Sequence, residues 1–269
     1  PPVGYKKIRC HMVYDVKHDG RHKSRLVAGG HLTDPNTDSV YSSVVSLRGI
    51  WLVTFLSELN NLELWGTDVG NAYLEATTKE RVYIVGGSEF GDLEGHTLVI
   101  HKALYGLRSS GLCWLQRFAD VLRSLGFKQC KSEGDIWLRL KGDIYEYIAV
   151  YVDDLLIAAK DPLAITKCLE ESHMFKLKGT GPLKYHLGCD YFKDDTGTLC
   201  FGPRKYIEKM MDQYEQMFGM KPKEYTSPLE KSDHPEIDAT EELHQAGIKT
   251  YQSMIGSLQW AISLGQFDI

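Results

Sequence analysis

The sequence predicts an α+β fold. Strand-like and helix-like runs alternate irregularly along the 269 residues, without the strict strand–helix–strand rhythm of a doubly wound parallel sheet. Near the start, Asp19-Gly20 separates two strand-like runs, 8–17 and 21–28. Asp-Gly between such runs is the strongest short-range hairpin signal a sequence can carry.

The remaining elements follow in order. Ser42 or Ser43 is placed to cap a helix running to about residue 60, apolar on most faces and therefore expected to be buried. Residues 62–68 read as a strand, and 81–85 and 97–101 as shorter ones. A helix fits 103–125, weakened in its first turns by Gly106 and Gly111. Residues 136–140 and 145–159 are strand-like, the second run interrupted by two acids. A helix over 163–174, strands over 183–192 and 199–201, and a helix over 204–218 come next. Residues 224–244, with Pro228 and Pro235, have a linker's composition, and a last helix begins near Leu243 and runs towards Leu264. Neither internal repeats nor low-complexity tracts occur.

Apolar residues make up 43% and charged residues 25% of the chain, sufficient for one large domain or two smaller ones with a real core. The longest apolar runs, 148–152 and 155–159, are too short to cross a bilayer. No membrane partner is therefore expected. No charged leader precedes an apolar run, which argues against a secretory signal. A chain that opens on Pro1 and stops at Ile269 reads as a piece of something larger. The six cysteines are scattered with no CxxC pair, which argues against zinc ribbons and a disulfide framework and for reduced, intracellular thiols.

The net charge of −5 is unevenly spread. Residues 1–31 carry seven Lys/Arg against Asp15 and Asp19, whereas 224–244 carry seven acids against Lys231. Local charge decides what binds where, so a basic N-terminal lobe remains compatible with nucleic acid. A solvated surface of mixed sign accounts for the charge equally well.

Chemistry concentrates in residues 148–159, where Asp153 and Asp154 interrupt an apolar run. Burying unpaired carboxylates is expensive, so such a run should not carry two without compensation. Either the pair is a solvent-exposed turn, or a hairpin tip presents both acids to divalent cations. A turn is needed for the second, because neighbours in a straight strand point to opposite faces. Asp68 ends the 62–68 strand on the inward parity of Leu62 and Leu64, unless it caps the following turn. Three carboxylates in one place suit Mg²⁺, a hard ion that takes oxygen ligands together with substrate phosphates.

Several motifs, in order, resemble one family. Tyr151-Val152-Asp153-Asp154 is similar to the YxDD box of reverse transcriptases, and Thr67-Asp68-Val69-Gly70-Asn71-Ala72-Tyr73-Leu74 to their first palm motif. Lys102-Ala103-Leu104-Tyr105-Gly106-Leu107-Arg108-Ser109-Ser110 resembles a stretch typical of copia-type LTR retrotransposons. His186-Leu187-Gly188-Cys189-Asp190 stands where that family has its primer grip, Arg25-Leu26-Val27-Ala28 where it has the fingers, and 251–258 resembles the segment leading towards ribonuclease H. Departures occur at Gly111 and Leu112, where the family usually has Pro and a basic residue, and at Gly86-Gly87-Ser88, which replaces Gln-Pro-Pro.

The resemblance implies a right-handed polymerase fold, with an antiparallel palm sheet flanked by helices. Fingers would span 1–66, palm 67–202 with a fingers insertion at about 79–101, and thumb with the start of a connection 203–269. It implies RNA-directed and DNA-directed DNA synthesis by the reverse transcriptase of a retrotransposon polyprotein. Asp68, Asp153 and Asp154 would be catalytic and hold two Mg²⁺ ions, with Mn²⁺ a substitute. Lys17, Lys23 and Arg25 would hold the triphosphate, and Tyr105 and Gly106 would flank the incoming nucleotide. Tyr73 would exclude a ribose 2′-hydroxyl, and Leu187 and Gly188 would belong to the primer grip. The partners implied are an RNA template, a primer, the RNA–DNA hybrid and dNTPs, with integrase and ribonuclease H in cis. The location implied is a cytoplasmic virus-like particle. A decayed or co-opted copy, acting as a non-catalytic nucleic-acid-binding module, is the alternative.

Overall fold

The computed structural model describes residues 1–16, 20–33, 40–225 and 241–266, and the chain divides into two compact units, 1–182 and 183–269. The first unit contains β1 (Lys6–Lys7), β2 (Cys10–Val16), β3 (His22–Ala28), α1 (Leu47–Leu59), β4 (Glu63–Val69), β5 (Val82–Val85) and β6 (Thr97–Val99). It continues with α2 (Ser110–Ser124), β7 (Lys128–Gln129), β8 (Ile136–Lys141), β9 (Ile144–Tyr151), β10 (Asp154–Ala159), α3 (Pro162–Glu171) and β11 (Leu177–Pro182).

A six-stranded sheet in the order β11-β4-β10-β9-β8-β7 forms the centre of this unit, and every pairing in it is antiparallel. Leu155, Ile157 and Ala159 of β10 share one core with Trp114, Phe118 and Leu122 of α2 and Ile165 and Leu169 of α3. The equally buried Leu156 and Ala158 take the opposite parity, and α1 packs against β9 and β10. Helices therefore cover both faces of β10, which is why its run is apolar without alternation. Each fully buried Leu, Ile or Phe contributes roughly 1.5–3 kcal/mol, so this layer dominates the unit's stability.

Beside the sheet, β5 pairs with β1 in parallel and with β6 antiparallel. Their small core joins Ile8, Ala28, Val82, Ile84 and Leu107. The ribbon β2–β3 is antiparallel with Val16 opposite His22. Asp19, on which the turn was expected, lies outside the described residues.

Several boundaries move for identifiable reasons. The helix expected from Ser42 or Ser43 starts at Leu47, because Ser46 is the cap: its Oγ accepts from Gly49 N at 3.0 Å. Glu133, far away in sequence, holds Ser46 in turn by accepting from its Oγ at 3.0 Å. Nor is α1 buried all round, since Leu52, Phe55 and Leu59 are 51, 62 and 64% exposed. The helix expected over 103–125 begins only at Ser110, because Gly106 at φ +88° cannot be helical. The run 183–192 is broken by a turn at Leu187-Gly188, and β11 was not expected at all.

The second unit holds β12 (Tyr185–His186), β13 (Cys189–Lys193), β14 (Leu199–Gly202), α4 (Arg204–Phe218) and α5 (Gln245–Ser263). Its three strands form an antiparallel meander. Leu187 and Gly188 form the two-residue turn between β12 and β13, both at positive φ, +48° and +98°, as a type I′ turn requires. Asp190 anchors α4 by accepting from Lys205 N at 2.9 Å and pairing with its ammonium at 2.7 Å. Tyr206 ties α4 to α5 through its hydroxyl, which donates to Ser257 O at 3.2 Å. Most of the expected linker, 226–240, lies outside the described residues. All six cysteines are free, and among the described residues no helix is long and apolar enough to cross a membrane.

Candidate active site

The site grows from the middle of the six-stranded sheet. Asp154 opens β10, opposite Asp68 on one side and Tyr151 on the other. Val152 and Asp153 are thus the two-residue tip of the β9–β10 hairpin, and the run expected as one interrupted strand is two. Val152 has φ +57°, a conformation that costs a β-branched residue on the order of 1–3 kcal/mol and persists only where the surroundings impose it. Two contacts impose it. The indole N–H of Trp114, from α2, donates to Val152 O at 2.7 Å, and Val69 N donates to Asp153 O at 2.8 Å. Trp114 is only 2% exposed and is wedged against Phe118 and Phe175.

Asp68 and Asp153 line an open cleft of about 720 Å³. Its other walls are Arg21, His22, Lys23, Ser24 and Arg25 from the ribbon, Asn71 and Tyr105, and Lys178 and Gly179 of β11. Carboxylates therefore lie on the sheet side and cations on the ribbon side, with Lys178, paired in register with Asp68, at the edge. Asp154 is not among the cleft walls. Burial first, and then the charges of Asp153 and Asp68, push its carboxyl up to about 6. Three carboxylates that repel one another in this way are relieved by a cation.

Among the described residues, no three His, Cys, Asp or Glu side chains are gathered tightly enough to enclose a metal ion by themselves. The donor set nonetheless suits one type of ion. Mg²⁺ is typically held by one or two carboxylates and takes its other ligands from water and phosphate, and Asp68 and Asp153 both line one open cleft.

Tyr73 follows Asp68 through a sharp bend, with Asn71 at φ +57° and a short turn over Ala72–Glu75. Its ring packs partly on the main core and lies 5.0 Å from that of Tyr105. Burial, then the charge of Asp153, raises the hydroxyl pKa of Tyr73, and the same two causes lead for Tyr105. The Arg25 guanidinium stands 5.6 Å from the Tyr105 ring centroid. Gly106 is not a cleft wall but permits the site: a Cβ there would lie 2.2 Å from Ala28 O.

Of the residues the sequence singled out, Asp68, Asp153, Lys23, Arg25 and Tyr105 come together in this cleft. Asp154, Tyr73 and Gly106 stand behind them, Lys17 lies outside the described residues, and Leu187 and Gly188 belong to the second unit. Sequence reasoning missed Lys178, Gly179, Asn71, Arg21, His22 and Ser24. For Asn71 the signal was available, as Asn tolerates the left-handed conformation needed after Gly70. For Lys178 nothing local betrays a register opposite Asp68.

The profile of the family described as reverse transcriptase (RNA-dependent DNA polymerase) matches residues 1–229. The chain belongs to that family. Among its relatives, the Retrovirus-related Pol polyprotein from transposon RE1 of Arabidopsis thaliana is 29% identical over 270 residues, covering 97% of this chain and 18% of that protein. The Retrovirus-related Pol polyprotein from transposon TNT 1-94 of Nicotiana tabacum is 28% identical over 286 residues, covering 100% of this chain and 21% of that protein. The Transposon Ty1-DR1 Gag-Pol polyprotein of Saccharomyces cerevisiae is 25% identical, over 97% of this chain and 15% of that protein. The similarity is thus to Pol polyproteins of copia-type retrotransposons, and the chain spans about a fifth of the length of the curated relatives it matches first.

Proposed function

We propose that this chain is the polymerase core of a retrotransposon Pol polyprotein and extends a primer with dNTPs on RNA or DNA templates. The observation that carries the reading is the lining of one cleft, which brings Asp68 and Asp153 together with Lys23, Arg25 and Tyr105. Phosphoryl transfer needs positioning and charge neutralisation more than covalent chemistry, and this arrangement offers both. Lys23 and Arg25 neutralise the triphosphate. Asp68 and Asp153 would hold two divalent ions, with Asp154 adding charge. Mg²⁺ held there, or Mn²⁺ as a substitute, would supply Lewis-acid activation of the primer 3′-hydroxyl and charge stabilisation for the leaving pyrophosphate. The clamp from Trp114 fixes the Asp153 tip, so little reorganisation remains at the moment of reaction.

In this reading the chain is a right hand, with fingers over 1–66, palm over 67–202 including an insertion at 79–101, and thumb and connection over 203–269. Tyr73 bars the ribose 2′-hydroxyl, Gly106 flanks the nucleotide, and Leu187 and Gly188 contact the primer. The partners are an RNA template, its hybrid with DNA, and the remainder of the polyprotein, within a virus-like particle. Incubating the purified chain with a primed homopolymeric RNA, the matched dNTP and Mg²⁺ tests the proposal. Templated extension supports it, and none at any divalent-ion concentration refutes it.

A further inference from the structure

Tyr105 touches both Arg25 and Tyr73. Arg25 lies over its ring at 5.6 Å, and Tyr73 lies 5.0 Å away with its plane tilted by 49°. The backbone beneath Tyr105 is fixed, since its carbonyl accepts from Ala28 N at 2.7 Å. A Cβ on Gly30 would lie 2.0 Å from Gly106 O, and one on Gly106 would lie 2.2 Å from Ala28 O. Nothing larger than hydrogen fits between these two segments, so residues 105–106 and the end of β3 move as one body.

Among the described residues, Tyr73 has no comparable backbone anchor in the ribbon. It hangs from the short turn after Asn71, and its ring is half buried against the main core. The Tyr105 ring lies 5.0 Å from that of Tyr73, so Tyr105 stands where it can hold the Tyr73 ring against lateral movement. A clash rejects a substrate only if the clashing group cannot yield. A Tyr73 ring free to swing would admit a 2′-hydroxyl, because a pocket with room to spare discriminates by only ~10² at best.

We propose that Tyr105 is a positioning residue for sugar selection: in contact with both Arg25 and Tyr73, it locks the ring that bars ribonucleotides. This rests on the reading of Tyr73 as the barrier, and extends it by naming what makes the barrier rigid. The inference couples sugar choice to the ribbon, because the cation that covers Tyr105 belongs to β3.

Single-nucleotide insertion with matched dNTP and rNTP tests it, with kcat/KM measured for each in wild type, Tyr73→Val, Tyr105→Leu, Tyr105→Phe and the Tyr73→Val/Tyr105→Leu double variant. Tyr105→Leu should raise the rNTP-to-dNTP ratio roughly tenfold or more, and Tyr105→Phe, which keeps the ring, should stay near wild type. The double variant should be no more permissive than Tyr73→Val alone. A ratio unchanged in Tyr105→Leu but raised in Tyr73→Val overturns the inference and leaves the barrier standing. No change in Tyr73→Val overturns both. Multiplicative effects in the double variant also overturn it, since Tyr105 would then meet the sugar independently. If Tyr105→Leu loses its thermal unfolding transition, Tyr105→Met, closer in length, is measured in its place against the same criteria.

Discussion

Replacing Trp114 with Phe removes one hydrogen bond and part of a buried ring, whose cavity adds to the stability cost without itself moving the tip. The ring keeps its place between Phe118 and Phe175, but Val152 O loses the donor that lies 2.7 Å away. Leaving a carbonyl unpartnered at a buried side chain costs about 1–3 kcal/mol. In a domain of this size each kcal/mol lowers the unfolding midpoint by roughly 2–4 °C. The same bond opposes the strain of Val152 at φ +57°. Once it is gone, part of that strain is relieved by movement of the tip, which carries Asp153 away from Asp68. A misplacement on the order of 1 Å costs about 10² in rate. Trp114→Phe should therefore lose modest stability and a much larger share of primer-extension rate, read by thermal unfolding and steady-state kinetics on one preparation. Destabilisation of the expected size with polymerisation at the wild-type rate would refute the reasoning, because the tip would then hold its geometry without the clamp.

Gly106→Ala should destabilise the first unit by on the order of 3–5 kcal/mol, since it combines φ +88° with a methyl 2.2 Å from Ala28 O; urea unfolding within about 1 kcal/mol of wild type would contradict the close approach. His186, 6% exposed, has its pKa lowered by burial to about 4 from an ordinary 6.5. Its neutral form is favoured in the fold, so its contribution is complete above pH 6.5 and is lost as pH falls towards 4. About 3 kcal/mol is at stake. His186→Gln should accordingly lose less stability than wild type between pH 7 and about pH 4.5, and parallel pH profiles of the unfolding free energy would rule this out.

Much of the site was legible because Asp153-Asp154 violates its own surroundings: two charges in a run that is otherwise core. That conflict identified the acids and pointed to a turn or hairpin tip, but not that the tip is Val152-Asp153 with Asp154 already in the next strand, because Val152 gives no turn signal and adopts its conformation under the pull of Trp114. The opening ribbon and most strands could be read from composition. The start of α2 could not, because Gly106 is held at positive φ by contact with β3, and neither could the cap of α1, which Glu133 fixes from across the fold. Lys178 and Gly179 escaped notice for the same reason. Their place in the cleft follows from a register with β4 that is set by tertiary pairing.

The central claim is that Asp153 and Asp68 make this cleft a site of metal-dependent DNA synthesis, and Asp153→Asn tests it most directly. The substitution keeps the size of the side chain and the Val69 N contact to the backbone carbonyl of Asp153, so thermal unfolding should stay near that of wild type. Extension of a primed homopolymeric RNA, followed side by side for the two proteins in Mg²⁺, should fall by roughly 10³-fold or more, because half of the carboxylate pair facing the cleft is gone. Extension by Asp153→Asn at close to the wild-type rate would contradict the account.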